Sequence, residues 1–208
     1  MSDIVCVTSR ALCREDFFVR MERIAAARPG GVILREKELS EEAYRELAGR
    51  VLEICREHGT ACVLHGFPGA ARALGHGALH LPLPALRRLP EAERRSFSAL
   101  GASCHSACEA REAERLGCTY VTAGHVFDTD CKRGLPGRGT AFLREVCECV
   151  SIPVYAIGGI RPERMEEVRR AGAAGACVMS GVMQCENVGE YLAAFEEDAD
   201  VSWRQTGF

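Results

Sequence analysis

Short apolar runs recur along this chain at nearly even spacing, and amphipathic segments separate them. The runs are Asp3–Thr8, Gly31–Arg35, Ala61–His65, Ala78–Leu81, Ser98–Ala102, Tyr120–Gly124, Pro153–Gly158 and Ala176–Ser180. Each is continuously apolar rather than alternating, as strands of a parallel sheet covered by helices must be. Eight strand–helix units in 208 residues is 26 residues per unit. That is lean for a (β/α)8 TIM barrel, which typically takes about 250 residues. It leaves no room for a second domain. The prediction is an α/β fold, a single TIM barrel over residues 1–208, with about 200–208 as a C-terminal tail carrying Trp203. An open doubly wound sheet is the competitor. The strand count favours the barrel, as do glycine turns after the seventh and eighth runs rather than the first.

The intervening segments read as helices. Ser40 suits an N-cap before a stripe of Tyr44, Leu47, Ala48, Val51, Leu52 and Cys55. Ser106-x-x-Glu109 and Asn187-x-x-Glu190 resemble capping boxes. Pro162 suits the first turn of a helix that Gly172 ends. Pro82–Glu93 supports only a short or irregular helix.

Charge excludes some partners. Lys and Arg number 26 against 29 Asp and Glu, a net charge of −3. Nucleic acid and anionic membrane call for a basic face, so neither is an expected partner. No apolar run approaches the ~20 residues that span a bilayer. The first residues lack the basic and apolar segments of a signal peptide. The twelve cysteines sit inside apolar patterns, as Cys6, Cys62 and Cys177 do. They are expected to be reduced thiols packing as small hydrophobes, and the protein to be cytoplasmic. There is no C-x-x-C; Cys147 and Cys149 diverge on a helix, and Cys104 and Cys108 have no second pair. No metal site is expected. A homo-oligomer is compatible with the sequence.

In a TIM barrel the chemistry sits where strands end. Four of the six histidines fall there: His65, His80, His105 and His125. Gly158-Gly159 and Ser180-Gly181 follow the seventh and eighth strands, where the fold usually cradles phosphate with backbone N–H groups. The plainer reading is that these glycines only permit tight turns. Arg35 and Lys37, two apart on a strand, would face one side and could hold a carboxylate or phosphate; a solvated charged turn is the alternative. The segment between Gly124 and Gly139 is 14 residues long with a basic centre, a length usual for binding loops. His125 opens it, placed for proton transfer by a side chain that titrates near neutrality. Cys131 beside Lys132 is a further, weaker candidate, as a nucleophile.

Taken together, Leu34-Arg35-Glu36-Lys37, Gly101–Ser106, the Gly124–Gly139 loop, Ile152–Ile160 and Val178–Gly181 resemble the thiamine phosphate synthase/TenI superfamily. The resemblance runs in order to about residue 195. It implies a (β/α)8 barrel, a role in thiamine biosynthesis and a phosphorylated thiazole ligand. One branch, the synthases, joins an aminopyrimidine diphosphate to a thiazole phosphate with Mg2+. Its members carry Asn-Asp after strand 3 and a further acid after strand 4; here stand His65-Gly66-Phe67 and His80-Leu81-Pro82. The TenI-type tautomerases resemble this chain nearly residue for residue through the Gly124–Gly139 loop. They aromatise an exocyclic-alkene thiazole carboxylate phosphate by a proton shift, with no cofactor.

The resemblance therefore implies that His125 is the general base and acid. It implies that Gly158, Gly159, Ser180 and Gly181 hold the phosphate, and that Arg35, Lys37 and Lys132 hold the carboxylate or the charge on the ring. His105 orients the site and Thr129 contacts phosphate or ring. The alternatives are synthase activity, with Mg2+, and a non-catalytic thiazole-phosphate binder.

Overall fold

The computed structural model describes residues 2–129 and 134–197. Its strands are β1 (Ile4–Val7), β2 (Gly31–Leu34), β3 (Cys62–His65), β4 (Ala78–Pro82), β5 (Ala99–Cys104), β6 (Tyr120–Gly124), β7 (Val154–Ile157) and β8 (Gly175–Val178). They close in sequence order into an all-parallel barrel, with β8 returning to pair with β1. The eight apolar runs thus became eight strands, each boundary within two residues of its prediction. Cys131, Lys132 and Trp203 lie outside the described residues.

Ten helices stand among the described residues: α1 (Phe17–Ala26), α2 (Glu41–His58), α3 (Pro68–Ala73), α4 (Leu83–Arg88), α5 (Glu91–Arg94), α6 (Ala107–Arg115), α7 (Gly139–Cys149), α8 (Met165–Arg170), α9 (Ser180–Gln184) and α10 (Val188–Glu197). The Ser40 cap forms, its hydroxyl accepting from the Ala43 N–H at 3.3 Å. Ser106 caps α6 in the same way, at 3.1 Å from Glu109 N. The reciprocal half of that box is displaced by one residue, because the Glu109 carboxylate takes the His105 N–H instead. Pro82–Glu93 splits into α4 and α5, as its poor periodicity foreshadowed. No helix among the described residues is long and apolar enough to cross a membrane.

The core has two parts. The larger lies between strands and helices and includes Leu34, Leu64, Leu79, Leu100 and Val121 against Met21, Tyr44, Val51 and Leu143. The smaller is inside the barrel, where Val7, Ile33 and Cys177 pack with Val5, Val63, Tyr155, Ile157 and Met179. Cys6, Cys55, Cys62, Cys104, Cys118 and Cys177 are buried free thiols. Burial pushes the thiols of Cys104 and Cys177 up to about 12, which removes thiolate character. Thr8, His65, His80 and Thr122 are buried polar residues on or next to the strands.

Candidate active site

The carboxyl ends of the strands form one mouth, and two differently built arcs face each other across it. The first arc starts at Gly124. A Cβ there would fall 2.5 Å from Ile157 Cγ2, so only glycine lets β6 and β7 close. A cis peptide joins Gly124 to His125. His105, just past β5, donates its Nδ1–H to the Gly124 carbonyl at 2.8 Å. It therefore holds the carbonyl of the residue that precedes His125.

His125 Nε2 lies 3.2 Å from the Leu135 carbonyl and 3.0 Å from that of Pro136. Carbonyls only accept, so the hydrogen-bond pattern assigns the proton to Nε2 and leaves Nδ1 with the lone pair. The loop is pinned at both limbs. Arg138 N donates to His125 O at 3.1 Å and Gly139 N to Val126 O at 2.8 Å. Asp128 is exposed, and its Oδ1 accepts from Gly137 N at 2.7 Å. Thr129 is half-buried within the same loop.

Gly158 and Gly159 have φ of 101° and 65°, the left-handed region that disfavours any side chain. They also press on the His125 loop. A Cβ on Gly158 would meet His125 Cβ at 2.4 Å, and one on Gly159 would meet Asp128 O at 2.4 Å. These glycines therefore do more than allow a turn: they let the segment after β7 press against the His125 Cα and Cβ and the loop that follows. Ser180 and Gly181 open α9, and Gly181 is overlaid by the Tyr191 ring. An open cavity of about 310 Å3 lies beside this arc, lined by Val126, Phe127, Asp128, Gly137, Gly139, Gly159, Arg161 and Arg164. Arg164 stacks over Phe127 at 4.9 Å. Neither Arg161 nor Arg164 was singled out from sequence.

The second arc runs from β2 to β5. Here the expected pairing of Arg35 with Lys37 fails. β2 stops at Leu34, so strand alternation does not continue; Arg35 is half-buried, Lys37 is exposed, and Glu36 between them is 1% exposed. Glu36 takes the Thr8 hydroxyl at 2.5 Å and the Arg10 N–H at 2.8 Å. Thr8 Oγ1 in turn accepts the Arg35 N–H at 2.9 Å. This closed set fixes the backbone of Arg35. Burial pushes the Glu36 carboxyl above its ordinary range, and the Thr8 and Arg10 bonds pull it partly back.

Next to Arg35 stand two imidazoles. His65 ends β3 and pairs in register with His80 of β4. The rings stack at 5.5 Å between centroids and 19° between planes. His80 is 2% exposed. Its Nδ1 meets the Tyr120 hydroxyl at 3.0 Å and its Nε2 meets Ser103 Oγ at 2.9 Å. Tyr120 crosses Gly101 so closely that a Cβ there would sit 2.2 Å from its ring. Burial drives His80 well below its ordinary value, with His65 adding to the effect. Burial, then the Arg35 charge, brings His65 down to about 4. Both are neutral at neutral pH. Among the described residues, no group of three or more His, Cys, Asp or Glu is placed to hold a metal ion.

A family model described as thiamine monophosphate synthase matches residues 4–182. The chain is 38% identical over 173 residues to the thiamine biosynthesis bifunctional protein ThiM/ThiE of Symbiobacterium thermophilum, covering 79% of this chain but 35% of that protein. It is 34% identical over 174 residues to the thiamine-phosphate synthase of Shouchella clausii, covering 79% of this chain and 81% of that one. Thiamine phosphate pyrophosphorylase from Pyrococcus furiosus superposes with a TM-score of 0.80 at 27% identity, over 93% of both chains.

Proposed function

The chain belongs to the thiamine monophosphate synthase/TenI family, and from that premise we propose that it is a thiazole tautomerase of thiamine biosynthesis. The substrate would be an exocyclic-alkene thiazole carboxylate phosphate. The observation that carries this reading is His125. Its Nε2 is held by two carbonyls and its Nδ1 is left as a base at the end of β6.

The barrier to this isomerisation is carbon acidity. Nδ1 takes the ring proton; the C–H pair moves into the ring as it aromatises, and the exocyclic carbon takes a proton back from the same imidazole. No oxidant, reductant or leaving group enters. The Leu135 and Pro136 carbonyls orient the ring and favour the imidazolium that forms between the two transfers. Arg35 would face the carboxylate. Backbone N–H groups near Gly158, Gly159, Ser180 and Gly181 would take the phosphate. Lys37, exposed beyond the end of β2, is a weaker candidate for the carboxylate than Arg35. Thr129, in the His125 loop, would contact phosphate or ring; Lys132 lies outside the described residues.

Thiamine-phosphate synthase activity is the second reading, and the names of the relatives favour it. That chemistry releases diphosphate, which Mg2+ would neutralise, and Mg2+ wants oxygen ligands. The described residues of the mouth fit this poorly. β3 ends in His65 and β4 carries His80, Glu36 is occupied by Thr8 and Arg10, and no group of three or more His, Cys, Asp or Glu among the described residues is placed to hold a metal ion. No step is therefore assigned to the metal.

One experiment separates the two readings. The purified protein is given the exocyclic tautomer in one vessel, and aminopyrimidine diphosphate with thiazole phosphate and Mg2+ in another. Aromatisation followed by NMR, without thiamine phosphate in the second vessel, supports the tautomerase. The reverse outcome replaces it with the synthase.

A further inference from the structure

Removing the ring proton builds negative charge on the thiazole and its carboxylate before the second transfer neutralises it. A hydrogen-bond donor already aimed at that charge lowers the barrier, because no solvent needs to reorganise. His125 is occupied with the proton itself and Arg35 with the carboxylate. The opposite arc carries a further donor that neither role uses.

His65 is at an inward position, two residues beyond Val63, which packs inside the barrel with Val7, Ile33 and Cys177. A side chain pointing into a closed barrel reaches solvent only through a mouth. His65 retains 9% exposure and is the last residue of β3, so its ring borders the carboxyl-end mouth that His125 borders from β6. Its position is fixed on two sides. The ring face lies on His80, itself held by Tyr120 and Ser103. The backbone N–H donates to the Tyr44 hydroxyl at 2.8 Å, which donates to the Leu34 carbonyl at 2.6 Å. The Leu34–Leu64 register then sets Arg35 beside it.

Held neutral by burial and by Arg35, this imidazole keeps one N–H donor and does not compete with His125 for the carbon-bound proton. We propose that His65 is a second catalytic residue, a neutral imidazole whose N–H bonds to the substrate carboxylate or ring nitrogen as negative charge develops there. The inference rests on the tautomerase reading. His65 transfers no proton; its N–H bond to the substrate shortens as His125 removes the carbon-bound proton and relaxes once the exocyclic carbon is protonated.

The test compares His65→Leu, which removes the donor, with His65→Gln, which keeps one. His65→Leu should lower kcat about 100-fold, the usual effect of losing one such donor, with KM within about threefold. His65→Gln should stay within about tenfold of wild type, with its pH profile unmoved. Wild-type turnover in His65→Leu, or a Gln variant as slow as Leu, overturns the assignment and leaves the tautomerase reading standing. A wild-type protein that does not tautomerise removes both. Long-range 1H–15N spectra of the unmodified protein cover the case of a misfolded variant. His65 should show the neutral pattern at pH 7 and shift when the aromatic thiazole carboxylate phosphate is added. A protonated pattern, or no shift at saturation, counts against the role.

Discussion

His125 and His65 border one mouth and are held by opposite means. Around His125 the hydrogen bonds are to backbone: its ring lies on the carbonyls of Leu135 and Pro136, and its own carbonyl accepts the Arg138 N–H. Around His65 the contacts are side chains: the His80 ring lies on its face and the Tyr44 hydroxyl takes its backbone N–H, while Tyr120 and Ser103 hold His80 in turn. A backbone-built arc leaves its imidazole half-exposed. A side-chain-built arc buries its imidazole and fixes its charge state. One residue type thus acquires two chemical characters from its surroundings.

The contrast can be broken from either side. The largest effect should come from His125→Ala. Loss of the proton shuttle predicts a 10²–10⁴-fold fall in tautomerisation, measured by NMR, with the fold unchanged by circular dichroism. A wild-type rate would remove His125 from the chemistry.

Gly158→Ala attacks the backbone arc without touching a polar group. Its Cβ would fall 2.4 Å from His125 Cβ at a φ of 101°. The strain is roughly 1–3 kcal/mol, and a displaced imidazole should lose at least about tenfold in kcat. Unaltered melting temperature and kcat would show that the segment after β7 does not press on His125.

The buried arc has a signature in pH. Both imidazoles are depressed below 6.5, His65 to about 4. Between those values the unfolded chain binds more protons than the folded one. Stability is therefore complete above pH 6.5 and declines as pH falls toward about 4, His65 alone contributing roughly 3 kcal/mol. Urea midpoints at pH 7 and pH 4.5 should separate more in wild type than in the His65→Gln, His80→Gln double variant. Equal separations would mean that the pair is not held neutral.

His105→Ala should be the mildest change. It removes one hydrogen bond, at 2.8 Å to the Gly124 carbonyl, worth about 1 kcal/mol. A few-fold drop in kcat with KM steady is expected. A full loss would make His105 a substrate contact rather than a brace.

The same contrast explains what was legible in the sequence. The strands were, because buried parallel strands are continuously apolar; Tyr120–Gly124 matches to the residue. The Gly124–Gly139 arc was legible because backbone architecture leaves a contiguous trace of glycines around a histidine. The second arc was not. His65 and His80 could be placed at strand ends, but their stacking depends on the β3–β4 register and on Tyr120, 40 residues from His80. Extending strand alternation through Arg35 and Lys37 failed because Thr8, 28 residues earlier, draws Glu36 inward. Charged residues in a turn read as solvated, and only the fold supplies the partner that buries one.

On the tautomerase reading the proton shift proceeds without a metal. The direct measurement is the NMR time course of the exocyclic thiazole carboxylate phosphate with EDTA-treated wild-type protein. Conversion to the aromatic tautomer at the same rate with and without EDTA is the predicted result. No conversion, with thiamine phosphate formed from the two precursors only when Mg2+ is restored, would contradict it.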